Sequence, residues 1–417
     1  MTISQARVWG IWLILTIFYA YQFVLRIMPG ILMPEIMAKF AITSSEIGWF
    51  SGMYYIGYAA MHVPMGIMLD RLSVKNIVTL CLFFCVSSLV TLVYNDIWLL
   101  AVIGRFLLGI GSAASVLGLF KIIRTYFPEN KFTKVFGIAA SIGLITATYG
   151  GPYVNMLSNQ LGWQNALVSL IVVGFAQTLF TYILIPNRVV SPDSHEYDRT
   201  TIREDLIALL TNRKVLIISV LGGMMVGPLE GFADVWGPQF LIALYGMGDQ
   251  AATSVSMNIY LGMCLGLPVV GYIADKTRAY YQITTIFAFV MGVLFVLLMQ
   301  QRVPHNLLVP CFLAIGVCSS YQLMVVYKVG TYVKHSMLGL TTAVANMIIV
   351  AFGFMFHMVI GKTVAYYWDG AYAGNVPKYG EEVMRLGVMV VPVALFLAAV
   401  GFAWVLFSEA KCAKQRA

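Results

Sequence analysis

The sequence predicts an all-α membrane protein of twelve transmembrane helices arranged as two six-helix halves. Three observations carry that expectation. Of 417 residues, 60% are apolar and 11% charged, whereas soluble domains hold about 25% charged residues. A membrane-spanning helix uses roughly 20 apolar residues, so this apolar content fills about a dozen. Finally, Gly66-Ile-Met-Leu-Asp70-Arg71 recurs as Gly271-Tyr-Ile-Ala-Asp275-Lys276, 205 residues later and close to half the chain. The composition excludes a soluble enzyme, a disordered chain and a disulfide-stapled secreted scaffold.

The spans are read in order as long apolar runs containing small residues, as packed membrane helices require. The first, roughly 8–28, is too long for a signal-peptide core and lacks a small-residue cleavage site. Spans at 46–69, 76–94, 98–123, 134–157 and 164–185 complete an N-terminal bundle, 1–186. The longest polar stretch, Pro186 to Arg213, follows, with Pro192, Asp193, His195, Glu196, Asp198, Arg199, Arg203 and Glu204; residues 187–212 are read as a cytoplasmic connector with a short surface helix over 201–210. Spans at 214–244, 251–274, 281–301, 305–329, 337–366 and 380–407 build a C-terminal bundle, 213–417. None alternates with period two, which excludes a transmembrane β-barrel.

The net charge of +8 is distributed by side. With the N-terminus inside, Arg7, Arg71, Lys75, Arg124, Lys131, Lys134, Arg188, Arg199, Arg203, Arg213, Lys214, Lys276, Arg278, Lys334, Lys411, Lys414 and Arg416 all fall in the cytoplasm. The outer loops keep Lys39, Arg302 and Lys378. This asymmetry places both termini in the cytoplasm and removes nucleic acid as the explanation of the positive charge. The cysteines (Cys81, Cys85, Cys264, Cys311, Cys318, Cys412) form no CxxC pair, so no metal or redox site is expected.

Gly66-x-x-Leu69-Asp70-Arg71-x-x-x-Lys75 resembles the cytoplasmic signature loop of the major facilitator superfamily, with Ser73 where that family usually has Gly. Gly66 is expected to permit close helix contact, Asp70 to cap or pair, and Arg71 and Lys75 to hold the loop at the inner surface. The second copy, Gly271, Asp275 and Lys276, keeps only Arg278 of the trailing basic cluster. Gly104-Arg105-Phe-Leu-Leu-Gly109-Ile-Gly111 resembles the family's second motif, whose arginine is associated with coupling or proton movement. Gly143, Gly150, Gly151 and Pro152 are similar to its antiporter motif, at poor spacing. Tyr19 to Pro29, followed by Ile47-Gly48-Trp49-Phe50, resembles a bacterial branch of proton-coupled carriers that includes intraphagosomal amino-acid transporters of the Pht type; the placement of Arg26 is also similar to that of organophosphate antiporters. These resemblances imply a multi-pass protein of the bacterial inner membrane.

Charge within an apolar span is expensive and points to function. Arg26 lies deep in the first span and Glu230 deep in the seventh, and the repeat interval maps Arg26 onto position 231. Arginine matches carboxylate or phosphate bidentately, so Arg26 and Glu230 read as a gate or as two ends of a zwitterion site; snorkelling of Arg26 to the headgroups is the alternative. Asp234, four residues after Glu230, shares its helix face, and two carboxylates in low dielectric raise each other's proton affinity. Gly227-Pro228 and Gly237-Pro238 bracket the pair and are expected to bend or break the helix. Arg105 joins Glu230 and Asp234 as a proton-coupling candidate. Tyr21, Gln22, Tyr321, Gln322 and Asn346 are candidates for neutral substrate contacts, as is Tyr149. His62 and His357 are weaker relay candidates, Lys121 and Lys328 a candidate basic vestibule, and Tyr366, Tyr367 and Trp368 an interfacial belt.

The expectation is a secondary transporter working by alternating access: proton-coupled uptake of a small polar solute, an amino acid or related zwitterion first, with organic-anion or sugar-phosphate exchange and then drug efflux as alternatives. A nontransporting sensor would be expected to carry a sizeable soluble output domain. No HExxH, Gly-x-Ser-x-Gly or P-loop occurs, so neither an enzyme nor a nucleotide-driven pump is expected. The partners are a small-molecule substrate, protons and the lipid bilayer, with no cofactor, and one chain suffices.

Overall fold

The computed structural model describes residues 4–187, 199–334, 337–373 and 376–416. They are almost wholly helical: α1 Gln5–Ile31, α2 Met33–Phe40, α3 Ser44–Arg71, α4 Val74–Tyr94, α5 Trp98–Tyr126, α6 Phe132–Leu161, α7 Trp163–Leu184, α8 Arg199–Thr211, α9 Arg213–Met224, α10 Gly237–Tyr245, α11 Asp249–Thr277, α12 Tyr280–Met299, α13 His305–Ser319, α14 Tyr321–Gly330, α15 Leu338–Tyr367, α16 Glu381–Val388 and α17 Val390–Arg416. Tyr372–Ala373 pairs antiparallel with Val376–Pro377. Residues 188–198, including Asp193, His195 and Glu196 of the expected connector, lie outside the described residues, as do the side chains of Asp70 and Arg203. The expected surface helix is α8.

Eleven helical stretches among the described residues are long and apolar enough to cross a membrane. The expected second span is the exception: α3 is helical over 28 residues but less apolar. The reason is packing. Tyr54, Tyr55, Ser51, Gly48, Gly52 and Gly57 are buried, and α3 packs mainly on α5 and α15. Three expected spans are interrupted. The seventh divides into α9, a π-helical segment Gly227–Trp236, and α10. The tenth breaks at Ser320 and the twelfth at Met389.

The sequence repeat has a geometric counterpart. A Cβ on Gly57 would meet the Phe106 carbonyl oxygen at 2.2 Å, and one on Gly262, 205 residues on, would meet the Leu313 carbonyl oxygen at 2.2 Å. From the other side, Gly109 abuts the Tyr54 carbonyl oxygen and Gly316 that of Ile259. Thus α3–α5 and α11–α13 make the same backbone-to-backbone crossing, which only glycine permits. The glycines resembling the antiporter motif serve packing too: Gly143 lies against the Tyr19 ring, Gly150 against Val24 and Gly151 against Met257. Gly66 behaves otherwise than expected. Among the described residues nothing lies within 4 Å of a Cβ placed there, whereas Gly271 has Leu323 at 3.2 Å.

First-half and second-half helices meet through small residues. Gly48 of α3 and Gly361 of α15 pack backbone to backbone, and Gly30 of α1 lies against the backbone of Asp234 and Val235. Asn155 Nδ2 donates to Thr253 Oγ1 at 3.2 Å, and Gln250 Nε2 to the Pro152 carbonyl at 3.1 Å. Near the other end, Leu209 of α8 packs with Val63 of α3 and Val344 of α15.

Candidate functional site

Where α1 meets the π-helical segment, charge collects in an apolar interior. A π-helix closes hydrogen bonds from i to i+5 and recurs at functional sites. Here Gly227-Pro228 opens it and Gly237-Pro238 follows it, so proline supplies no amide donor at either junction. Gly227 and Gly231 lie against the Phe356 ring, and all ten residues of the segment are buried. Its winding directs Glu230 and Asp234 toward the same guanidinium.

Arg26 Nε donates to Asp234 Oδ2 at 2.7 Å, and its terminal nitrogen stands 3.6 Å from Glu230 Oε1. Asp234 is also the acceptor of two tyrosine hydroxyls, Tyr55 of α3 on Oδ2 and Tyr260 of α11 on Oδ1. Tyr55 reaches the Glu230 carbonyl as well, at 3.1 Å. The Arg26 guanidinium lies 5.6 Å from the Phe23 ring centre and 5.4 Å from that of Tyr55, within cation–π range. Asp234 and Glu230 are 1% and 5% exposed, so neither charge is relieved by solvent.

The two carboxylates differ. Asp234 is saturated with donors. Among the described residues, the charged partner of Glu230 stands beyond hydrogen-bond length, and Oε2 makes no hydrogen bond.

Arg105 of α5 stands behind this cluster, fully buried. It donates to the carbonyl oxygens of Leu25 at 2.7 Å and Arg26 at 2.5 Å, with its guanidinium 5.2 Å from the Tyr54 ring centre. It thereby fixes the backbone that carries Arg26. Gln22 accepts from the Tyr54 hydroxyl at 2.8 Å, one helical turn from Arg26. His357 is fully buried beside Tyr55, ring centres 5.4 Å apart.

Other candidates lie elsewhere. The Tyr21 hydroxyl donates to the Leu170 carbonyl at 2.9 Å, and that of Tyr321 to the Gly222 carbonyl at 2.8 Å, so both tie helices of one half together. Gln322 is half-buried. Asn346 Nδ2 lies 3.3 Å from His62 Nε2, a separate link between α15 and α3. Lys328 pairs with Glu409 at 3.8 Å and faces the Tyr281 ring at 4.6 Å. Lys75 lies over the Tyr182 ring at 4.0 Å, and Tyr280 donates to Asp275 at 3.0 Å. Arg71 is exposed, and Lys276 stands 6.0 Å from the Tyr272 ring centre. Tyr149 is exposed, as are Tyr366 and Tyr367.

Sequence reasoning missed Tyr55 and Tyr260. A signal for them was present, because they are 205 residues apart, the repeat interval.

Comparison with known proteins agrees with this architecture. The family model described as Major Facilitator Superfamily matches residues 12–358. The hexuronate transporter of Bacillus subtilis (strain 168) is 20% identical over 58% of this chain and 58% of its own length. The quinolone resistance transporter of Acinetobacter baumannii is 22% identical over 64% of this chain and 66% of its own. The matches thus span less than two thirds of these relatives. The crystal structure of nucleoside transporter NupG superposes with a TM-score of 0.74 at 16% identity, covering 95% of this chain and 99% of that one.

Proposed function

The chain belongs to the Major Facilitator Superfamily, and on that premise we propose that it takes up a small carboxylate-bearing solute together with protons, with Arg26 as the group that exchanges partners. It is a multi-pass membrane transporter of the secondary type. One observation carries the finer reading. Arg26 of the first half bridges Asp234 and Glu230 of the second in a buried, otherwise apolar setting. Such a bridge locks the two halves together, and alternating access requires that a lock be opened.

The chemistry follows from partner exchange. With both carboxylates ionised, Arg26 is neutralised within the protein. Protonation of Glu230, the carboxylate with the fewest donors, weakens the lock and frees one edge of the guanidinium. That edge matches a substrate carboxylate. Proton and anion therefore load together, and the return of Arg26 to Glu230 releases both. A zwitterion of the amino-acid type fits first, because a protonated Glu230 keeps one carbonyl-type oxygen, and Oε2, which accepts no hydrogen bond among the described residues, is free to accept one from an ammonium group. A hexuronate-type organic anion is the second reading, favoured by the relative named for hexuronate. The lysine and arginine bias supports a topology with both termini in the cytoplasm, and the bacterial inner membrane is the proposed location.

A thermal-shift screen of the purified protein against neutral amino acids, hexuronates, sugar phosphates and quinolones tests the substrate class. A ligand that binds the folded state raises its stability. An amino acid or hexuronate is expected to stabilise wild type and to do so less in Arg26→Lys, which lacks the planar fork. Stabilisation by a carboxylate ligand that Arg26→Lys leaves unchanged overturns the role of Arg26.

A further inference from the structure

Tyr55 and Tyr260 occupy equivalent positions of the two repeats, yet their hydroxyls converge on a single carboxylate, Asp234. The convergence is one-sided. At the same interval, Asp234 corresponds to Pro29 and Glu230 to Leu25, so the first half has no acid of its own at these places. The first half contributes Arg26 and Tyr55; the second contributes Glu230, Asp234 and Tyr260. Tyr55 makes one further contact that Tyr260 does not, to the Glu230 carbonyl inside the π-helical segment.

We propose that the two tyrosines are positioning residues with different duties: Tyr260 is a permanent ligand of Asp234 that travels with it, and Tyr55 is a detachable latch. When the halves part, Asp234 loses Arg26 and Tyr55 together and keeps Tyr260. Tyr55 is also the cross-half anchor of the segment that carries Glu230, so unlatching alters the surroundings of both carboxylates in one step. This rests on the charge-lock reading above. The charged and titratable groups that face Asp234 are Arg26 from α1, Tyr55 from α3, Arg105 from α5, Tyr260 from α11 and Glu230 from its own segment, with the His357 ring of α15 beside Tyr55.

The two roles separate by linkage. A hydrogen bond present only in the latched state favours that state; one present in both states favours neither. The test is hydrogen–deuterium exchange of the peptide spanning 227–236, corrected for intrinsic rates, in the purified full chain without added ligand. The variants are Tyr55→Phe and Tyr260→Phe, which keep both rings, and Asp234→Asn is the reference for an open lock. At pH 8, Tyr55→Phe is expected to raise exchange about tenfold, the worth of a hydrogen bond to a charged group, and Tyr260→Phe to leave it at the wild-type level. Equal exchange in the two Phe variants, or no change in Tyr55→Phe while Asp234→Asn opens the segment, overturns the latch. If Asp234→Asn itself leaves exchange unchanged, the charge lock fails as well.

Discussion

Replacing Arg26 with Met removes the cation shared by two buried carboxylates. At 2.7 Å and an effective dielectric of about 20, its attraction to Asp234 is about 6 kcal/mol. Dehydration of both groups offsets part of that, and breaking a buried pair costs about 3–5 kcal/mol because the remaining charge is stranded. Arg26→Met strands two, so the upper end of that range applies. Glu230→Gln makes the contrast, four residues from Asp234. Its carboxylate stands 3.6 Å from Arg26 with one oxygen unpartnered, so neutralising it removes a weak pair and a dehydration penalty at once, with a net effect below about 1 kcal/mol. Reversible unfolding by SDS in mixed micelles measures both. Equal destabilisation by the two substitutions, or an Arg26→Met protein within about 1 kcal/mol of wild type, refutes the reasoning.

Further outcomes follow from single contacts. A Cβ on Gly48 would meet the His357 carbonyl oxygen at 2.4 Å, whereas one on Gly66 meets nothing within 4 Å; Gly48→Ala is expected to destabilise by about 1–3 kcal/mol and Gly66→Ala to be silent, read by the same unfolding measurement. Tyr321→Phe loses its bond to the Gly222 carbonyl and should cost about 0.5–1.5 kcal/mol without altering the affinity for whichever ligand the thermal-shift screen identifies. Glu35 of α2 lies between spans, and burial, with a further contribution from Asp249, holds its carboxyl above the ordinary carboxylate range. Its folded-state proton affinity exceeds the unfolded one, so its stabilising contribution is present at low pH and is lost as pH rises through the raised value. Glu35→Gln should flatten that part of a melting-temperature profile against pH, and an unchanged profile contradicts it.

Much of this was readable from residues because lipid imposes simple rules. Apolar runs announce spans, and an Arg or Glu inside one stands out, which is how Arg26, Glu230 and Asp234 emerged before any geometry. The Gly-Pro brackets announced a broken seventh helix; that the break takes π form depends on Phe356, Gly30 and Tyr55 from three other helices, which no local pattern encodes. Span α3 resembles its neighbours in sequence yet buries polar groups such as Tyr54, Tyr55 and Ser51 in protein contacts. Tyr321 and Tyr21 resembled cavity-lining groups because a tyrosine in a membrane helix has the same sequence signature whether its hydroxyl meets a substrate or a neighbouring carbonyl. Tyr55 and Tyr260 were within reach through the repeat interval, but only the meeting of the two halves shows that both serve one carboxylate.

The central claim is that Glu230 carries the proton that drives accumulation. Its most direct test is uptake of radiolabelled alanine and glucuronate into proteoliposomes with an imposed inside-alkaline pH gradient, wild type against Glu230→Gln. Wild type is predicted to accumulate one of the two above its external concentration, while Glu230→Gln retains only exchange of that solute against itself. Uptake indifferent to the gradient, or full accumulation by Glu230→Gln, contradicts the account.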